Sequence, residues 1–188
     1  MDKKLNIINT NFLGLHIVEP NRMKDERGYF QRLFCSNEFA KINLDKPIVN
    51  INHSMTQKKG TIRGMHFQYQ PYAEIKIVKC IKGAIFDVAI DIRQGSPTFM
   101  QSYSIELSDK NNLMLVIPEG FAHGFQSLEE NSEIIYFVTN HYSKENESGL
   151  NPFDPRLNIN WPLECNFISQ KDKNSKLLPN DFQGIVSC

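Results

Sequence analysis

The chain has 188 residues, of which 40% are hydrophobic and 22% charged, as in globular proteins and unlike disordered ones. Lysine plus arginine equals aspartate plus glutamate at 21 each. The net charge is therefore zero, which gives no support to binding of nucleic acid or of an anionic membrane through general electrostatic attraction. The length suits one domain over residues 1–188, and thirteen Phe with six Tyr favour β-structure.

The sequence indicates a cytoplasmic protein. No apolar run approaches the ~20 residues that a membrane-spanning helix needs. The first residues lack the apolar core and the cleavage site of a signal peptide. The four cysteines form no close pair, so we expect reduced thiols and neither a zinc nor a redox motif. They are Cys35, Cys80, Cys165 and Cys188.

The first predicted elements are a short helix and a strand. Residues 36–41 (SNEFAK) are expected to form a helix with Ser36 as its N-cap. Residues 86–92 (FDVAIDI) follow a glycine turn, and their hydrophobic positions alternate. This period of two predicts a strand.

Further strands are predicted in the second half of the chain. The continuous apolar run over 113–117, closed by Pro118, is typical of a strand that is buried on both faces. Another strand is expected over 134–139, and a terminal helical segment over 169–182. Because no long amphipathic stretches separate the strands, the pattern predicts one antiparallel β-barrel or sandwich.

Two polar stretches contain candidate site residues. Residues 60–68 (GTIRGMHFQ) place Arg63 and His66 around a glycine, although a single histidine is more often structural than catalytic. Residues 117–125 (IPEGFAHGF) have the spacing Pro-x-Gly-x-x-His, which resembles the second motif of the cupin superfamily. In that motif a glycine turn delivers a histidine into the mouth of a barrel. We therefore expect His66 and His123 to face one cavity.

The ligands available there argue against a metal site. Many cupins bind a metal through a His-x-His pair, a downstream glutamate and the histidine of the second motif. Here Gln68 replaces the second histidine of the pair, and Glu74 is the next candidate ligand. Two imidazoles without a clear carboxylate make a poor divalent site, because three or four protein ligands are usual. The sequence therefore predicts a proton-transfer site without a metal.

Two further side chains each have two interpretations. Lys76 is in phase with Val78 and Cys80 in a strand-like segment, so its ammonium points either along a half-apolar face or into solvent. Tyr136 lies within 134–139, where an aromatic residue usually belongs to the core. The residues alone leave both alternatives open.

Seven short segments form a longer series that is more specific than any single motif. They are residues 25–30 (DERGYF), 52–54 (NHS), 62–68 (IRGMHFQ), 86–93 (FDVAIDIR), 95–99 (GSPTF), 117–125 (IPEGFAHGF) and 158–162 (NINWP). In this order they resemble the dTDP-4-dehydrorhamnose 3,5-epimerase family. The similarity runs from about residue 12 to residue 172, which is nearly the whole chain.

The resemblance implies a cupin-type jelly-roll barrel, all-β with a few short helices, that forms a homodimer. It also implies an epimerase of deoxysugar biosynthesis for surface polysaccharide, with neither a metal nor an organic cofactor. The implied substrate is a nucleotide-diphosphate sugar with a ketone at C4. That ketone acidifies the hydrogens on C3 and C5, so that inversion through an enolate needs a base, an acid on the opposite face and a group that stabilises the enolate.

The resemblance also implies a role for each site residue. His66 falls at the position of the base, and Asp172 at that of the carboxylate that orients this histidine. Lys76 is expected to stabilise negative charge on the C4 oxygen, and Tyr136 to return a proton from the other side. Substrate-binding positions are Arg27 and Arg63, which are implied to grip the diphosphate, together with His123, Gln68, Asn52, Arg32 and Tyr142.

The chain departs from the family pattern at positions that recognise the base of the nucleotide. Arg32 stands where the family usually has a glutamate, Asn50 where a glutamine is usual, and residues 140–142 read NHY where two adjacent tyrosines are usual. Because an arginine can donate two hydrogen bonds to guanine, these changes suggest a GDP-4-keto-6-deoxy hexose or heptose. The other interpretation is family drift, with dTDP-4-keto-6-deoxyglucose as the substrate.

Two other function classes stay open at this level. A metal-dependent cupin oxygenase or isomerase predicts a bound metal. A sugar-binding cupin without catalysis predicts the loss of at least one catalytic residue, but all four are present. Whether C3, C5 or both are inverted is not determined by the sequence.

Overall fold

The computed structural model describes residues 4–186 and is built mainly from antiparallel strands. The N-terminal elements are β1 (Leu5–Asn9), β2 (His16–Pro20), the hairpin of β3 (Met23–Asp25) and β4 (Gly28–Phe30), α1 (Ser36–Phe39) and a 3-10 helix (Ala40–Ile42). The central strands are β5 (Asn50–Thr56), β6 (Thr61–Gln68), β7 (Lys76–Lys82), β8 (Ala84–Asp91), β9 (Ser102–Ser108), β10 (Met114–Ile117), β11 (Phe121–Ser127) and β12 (Ser132–Val138). The chain ends with β13 (Glu147–Gly149), a 3-10 helix (Pro155–Leu157), β14 (Phe167–Ile168) and α2 (Gln170–Lys173).

Two sheets face each other across the main core. The first has the order β1-β2-β10-β7-β12-β5, and the second the order β13-β6-β11-β8-β9, with β14 pairing in parallel with β6. Val78 and Leu115 from the first sheet pack with Ile85, Ala89 and Phe125 from the second. This arrangement confirms the predicted jelly-roll barrel.

The chain ends of the barrel cover its outer faces. On the second sheet, Leu157 and Leu178 from the C-terminal part pack with Val88 and Ile90 of β8. On the first sheet, Phe39 of α1 is fully buried in a separate cluster. Covering the second sheet requires the C-terminal chain to return past β6, and this path brings α2 close to the barrel mouth.

The three strands predicted from hydrophobic pattern are present. They are β8, β10 and β12, and every residue of β10 is buried, as its continuous apolar run indicated. In β8 the polar positions are buried as well: Asp87 and Asp91 are both fully inaccessible. The alternation therefore separates an inner face from an outer face that the C-terminal segment covers, and neither face is open to solvent.

The two helix predictions need correction. Ser36 is not an N-cap: Cys35 occupies that position, with an extended backbone and no side-chain cap, and α1 is only four residues long. Within 169–182 only α2 is helical. There Ser169 caps the helix by accepting a hydrogen bond from the backbone N–H of Asp172. The following residues bond elsewhere, since Leu178 donates its backbone N–H to Asp154, and these tertiary bonds replace helical ones.

Three of the cysteines, Cys35, Cys80 and Cys165, are free thiols, and Cys188 lies outside the described residues. Burial raises the pKa of Cys80 to about 11. Over residues 4–186, no helix combines the length and the apolar character that crossing a membrane requires.

A buried lysine in the middle of β7 makes the free energy of unfolding depend on pH. Lys79 is 2% exposed and donates hydrogen bonds to the backbone oxygen and to Oδ1 of Asn112, at 3.1 and 2.8 Å. Burial, with the nearby charge of Arg22, lowers the pKa of Lys79 from 10.5 to about 8. Between these values the unfolded chain binds more protons than the folded one, so this lysine makes the free energy of unfolding rise with pH.

Lys79→Met is expected to remove this rise, which amounts to about 3 kcal/mol between pH 8 and 10.5. Urea unfolding at a series of pH values from 8 to 10.5 measures it. Lys82→Met is the matched control, because the Lys82 side chain is 61% exposed on the same strand and should leave the slope unchanged. Parallel slopes in the wild type and in Lys79→Met would contradict the assignment.

Candidate active site

His66 and Asp172 form a hydrogen-bonded pair although 106 residues separate them. His66 Nε2 lies 2.7 Å from Asp172 Oδ1, and Oδ2 accepts a hydrogen bond from the backbone N–H of Gly64 at 3.2 Å. Asp172 is buried, whereas a third of the His66 side chain is exposed. Burial alone would raise the pKa of Asp172, but the hydrogen bonds and the nearby imidazole hold that pKa below its ordinary value. The carboxylate is therefore ionised and accepts the Nε2 hydrogen.

The backbone around Gly64 explains how the pair forms. β13 pairs with residues 66–68 of β6 and β14 with residues 61–62, and Met65 bonds to Leu150, so the N–H of Gly64 is left to meet Asp172. The other edge of β6 lies so close to β11 that a Cβ on Gly64 would stand 2.5 Å from the Cα of Gly124. Gly64 also has a φ of 128°, which other residues rarely adopt. Glycine is thus required beside the histidine.

Two adjoining cavities open at the barrel mouth. The larger has a volume of about 510 Å³, and Asp172, Arg63 and His123 line it. The smaller has a volume of about 220 Å³. Three side chains line both cavities and so mark their junction: His66, Lys76 and Tyr136. The structure therefore brings all four expected catalytic residues to one place.

Lys76 and Tyr136 project from neighbouring strands of the first sheet. Lys76 Nζ lies 3.2 Å from Glu74 Oε1, and both side chains are largely buried. Tyr136 contacts the main core and also forms part of the cavity wall. Burial raises the pKa of Tyr136, the charge of Glu74 raises it further, and Arg63 lowers it. The phenol is therefore protonated at neutral pH, as a proton donor must be.

A second histidine–carboxylate pair stands beside the first. His123 is the cross-strand neighbour of His66, and its Nε2 lies 2.8 Å from Asp87 Oδ1. Asp87 is fully buried, and its Oδ2 has no hydrogen-bond partner among the described residues. Asp87 was not among the site residues predicted from the sequence. The sequence feature that could have identified it is its position two residues before Ala89 in β8, which puts the carboxylate on the same inner face as Ala89.

The remaining expected binding residues differ in how they meet the cavities. Arg63 lines the larger cavity and is held by Thr56, whose Oγ1 accepts from Nε at 3.1 Å. Asn52 and Tyr142 line the smaller one. Gln68 also borders it, but its amide is engaged by the backbone of Tyr72, His141 and Ser143, and so braces the loop after β12.

Arg27 and Arg32 do not line either cavity. Arg27 is at the tip of the β3–β4 hairpin, with 84% of its side chain exposed, and pairs with Asp25 at 2.6 Å. Arg32 lies 3.8 Å from Glu38 on the outside of the barrel. A single copy of the chain therefore does not bring these two arginines to the site.

A charged pair at the rim of the cavities was likewise not predicted from the sequence. Glu147 lines the smaller cavity and Lys171 the larger, and their side chains approach to 2.5 Å. No local pattern marks Glu147, because its place depends on β13 pairing with β6. Lys171 immediately precedes Asp172 in α2, and this adjacency could have indicated that Lys171 lies near the site.

Over residues 4–186, no three His, Cys, Asp or Glu side chains are grouped so that they could share a metal ion. Glu74, the candidate third ligand, is paired with Lys76. The two histidines are each paired with a different aspartate. The donor groups are therefore engaged in separate pairs, one with a lysine and two with histidines.

Comparisons with known proteins agree with this architecture. The chain is 43% identical over 171 residues to a dTDP-4-dehydrorhamnose 3,5-epimerase of Sinorhizobium fredii, covering 89% of this chain and 88% of the relative. A crystal structure of the Legionella pneumophila dTDP-6-deoxy-D-glucose-3,5-epimerase, in complex with dTDP-4-keto-L-rhamnose, matches with a TM-score of 0.90 at 38% identity, covering 98% of this chain and 100% of that one.

A second crystal structure, of the Bacillus anthracis dTDP-4-dehydrorhamnose 3,5-epimerase with TDP and PPi bound, has a TM-score of 0.89 at 37% identity, and covers 93% of this chain and 99% of that one. The sequence model of the dTDP-4-dehydrorhamnose 3,5-epimerase family matches residues 9–180. The match includes every residue of the site described above. This chain is therefore an epimerase that belongs to the dTDP-4-dehydrorhamnose 3,5-epimerase family.

Proposed function

We propose that the chain inverts C3 and C5 of dTDP-4-keto-6-deoxyglucose by proton transfer next to the C4 ketone. The observation that carries this proposal is the junction of the two cavities. There an imidazole oriented by a buried carboxylate, a lysine and a protonated phenol line a common space. The names of the relatives and the ligands in their crystal structures support a thymidine nucleotide.

His66 is the base in this mechanism. Its Nε2 donates to ionised Asp172, so the lone pair of the neutral imidazole is on Nδ1. That nitrogen takes a proton from C3 or C5, and the resulting imidazolium is stabilised by the adjacent carboxylate. The electrons of the broken C–H bond move into the C4 carbonyl and form an enolate.

Lys76 and Tyr136 complete the inversion. The ammonium of Lys76 stabilises the negative charge that develops on the C4 oxygen. The phenol of Tyr136 then gives its proton to the same carbon from the opposite face, and the carbonyl re-forms. One proton has left the carbon and another has joined it, so the reaction is an isomerisation, and solvent restores the protonation states of His66 and Tyr136.

Incubation in heavy water tests the proposed function. We expect the wild type to replace the C3 and C5 hydrogens of dTDP-4-keto-6-deoxyglucose with deuterium, and the product to have inverted configuration at both carbons, as measured by proton NMR. Binding of the substrate without exchange at either carbon would contradict the proposal. Exchange at a single carbon would contradict the double inversion.

The alternative nucleotide is GDP, and the observation that favours it is Arg32 in place of the usual glutamate. The same assay with the GDP-linked sugar, together with calorimetric affinities for dTDP and GDP, separates the two. We expect dTDP to bind more tightly. Tighter binding of GDP would instead support recognition of guanine by Arg32, which offers two donors to the guanine O6 and N7.

We also infer that the chain acts as a homodimer. The β3–β4 hairpin exposes Tyr29 and Phe30 to 55% and 59%, and the edge strand β5 exposes Ile51 to 62%. Large apolar side chains of this kind are typical of a surface that another protein covers. A second copy seated there would also explain why Arg27, on the same hairpin, lies outside the cavities of its own chain.

A charged residue in this surface should break the dimer. Phe30→Asp is expected to change the mass in solution from two chains to one, because an aspartate without a partner is costly to bury. Light scattering coupled to size exclusion at micromolar concentration measures it. Phe153→Asp is the control, since Phe153 is half exposed but lies outside the hairpin and β5. A wild type that runs as a single chain would contradict the inference.

A further inference from the structure

Glu74 is a largely buried carboxylate in the wall of the smaller cavity, paired with Lys76, and the mechanism above gives it no step. It lines the smaller cavity, and its side chain is only 12% exposed. Its backbone is fixed from the next residue onward. The N–H of Ile75 donates to Thr139 Oγ1 at 2.9 Å, and the N–H of Thr139 donates to the oxygen of Ile75 at 3.2 Å. The carboxylate therefore occupies a defined place.

The only ion pair that the described residues offer Glu74 is with Lys76, whose side chain is 15% exposed. A pair removed from water to this extent contributes little to folding stability compared with apolar side chains of similar size, because both charges lose hydration. The contribution of the ion pair to folding stability therefore does not explain why a carboxylate lies in the cavity wall. The charge has a direct effect, however, on the two groups beside it.

We propose that Glu74 is a positioning residue of this epimerase, which holds the Lys76 ammonium at the junction of the two cavities and places a negative charge beside Tyr136. This inference rests on the proposed function, since it concerns groups that act on the substrate. It assigns to Glu74 an effect on the reaction without contact with the reacting atoms.

The effect of Glu74 on Lys76 is to hold the ammonium in one position. A lysine side chain has four rotatable bonds, and holding it in one rotamer has an entropic cost of up to about 2 kcal/mol. The carboxylate at 3.2 Å restricts the ammonium before the substrate arrives. Without it, the ammonium is free to leave the place where the C4 oxygen develops charge, and stabilisation of the enolate is lost.

The effect on Tyr136 is electrostatic. Burial is the largest cause of the raised pKa of the phenol. The charge of Glu74 raises this pKa further, and the charge of Arg63 lowers it. Removing the negative charge should therefore allow Tyr136 to lose its proton at lower pH. The charged or titratable side chains that line the two cavities around it are Arg63, His66, Glu74, Lys76, His123, Tyr142, Glu147, Lys171 and Asp172.

The direct test is titration of the Tyr136 phenol by its absorbance at alkaline pH, in the wild type and in Glu74→Gln. In each background the spectrum of the same protein with Tyr136→Phe is subtracted, which removes the other tyrosines. We expect the midpoint in Glu74→Gln to fall by about 0.5 to 1 pH unit. An unchanged or higher midpoint would overturn the proposal.

Two further variants distinguish a charge effect from a packing effect. Glu74→Asp keeps the charge and should keep the titration of Tyr136 close to that of the wild type. If Glu74→Gln does not fold, Glu74→Ala removes the same charge, and its midpoint should fall as well. Glu129→Gln removes the carboxylate of an exposed lysine pair, Lys110 with Glu129, and should leave both the titration and the activity unchanged. A fall in midpoint for Glu129→Gln equal to that for Glu74→Gln would also overturn the proposal.

Kinetics give the second reading. In Glu74→Gln we expect kcat to fall about 10-fold with a change in KM of less than about 3-fold, and the alkaline limb of the kcat profile to move to lower pH. Loss of affinity without a change in kcat would contradict positioning. The outcomes are separable: the absence of exchange in the wild type would refute the proposed function, whereas the phenol titration tests the influence of Glu74 without any turnover.

Discussion

Replacing His66 with asparagine is expected to lower hydrogen exchange at C3 and C5 by at least about 10³-fold. Asparagine is shorter than histidine, and its amide lies at about the position of Nδ1, so the hydrogen bond from Nε2 to Asp172 is lost while most of the local packing should survive. It has no nitrogen that can take up a proton at neutral pH, and no other side chain at the junction occupies the same position. Proton NMR in heavy water measures the loss, and calorimetry checks that the substrate still binds.

Two further variants serve as comparisons for His66→Asn. Asp172→Asn should lower exchange less, by about 10²-fold, because it removes the charge that stabilises the imidazolium but leaves the base in place. His16→Asn replaces a histidine that is hydrogen-bonded to Asn9 on the outside of the barrel and should exchange like the wild type. If His66→Asn retained a tenth or more of the wild-type rate, His66 would not be the base.

Replacing Tyr136 with phenylalanine is expected to separate exchange from inversion. Abstraction by His66 does not need the phenol, so deuterium should still enter at rates within about 10-fold of the wild type. Delivery of a proton from the opposite face does need it, and inversion should fall by at least about 10²-fold. The deuterated sugar would then be recovered mainly with its original configuration.

The configuration of the recovered sugar is measured from its proton couplings. The ring of phenylalanine fills the same volume as that of tyrosine, so the cavity should keep its shape and the hydroxyl is the only group removed. A Tyr136→Phe protein that still inverted the sugar at the wild-type rate would show that another acid lies on that face.

Much of the barrel follows from hydrophobic pattern. The buried run of β10 and the alternation of β8 predict strands, because sheet geometry imposes a period of two. The helices near the two ends of the chain were harder to predict. Ser36 has the chemistry of an N-cap, but the backbone turns at Cys35, and residues 174–182 form hydrogen bonds to other parts of the fold. Local propensity carries no information about these tertiary partners.

The site was predictable to a different extent. The motif around His123 indicates a barrel mouth, but Asp172 is 106 residues from His66, and no spacing rule connects them. That pairing was available only through resemblance to a family. Glu74 was considered solely as a metal ligand, since its pairing with Lys76 depends on how the loop before β7 is held. The burial of Asp87 beside His123 likewise depends on the register of β8 with β11.

The most direct test of the division of labour between His66 and Tyr136 is one NMR experiment. The wild type, His66→Asn and Tyr136→Phe are incubated side by side with the dTDP-linked ketosugar in heavy water, and the deuterium content and configuration at C3 and C5 are measured. We predict deuterium with inversion in the wild type, deuterium with the original configuration in Tyr136→Phe, and no deuterium in His66→Asn. Equal loss of deuterium in both variants, or full labelling in His66→Asn, would contradict the assignment of a base and an acid on opposite faces of the sugar.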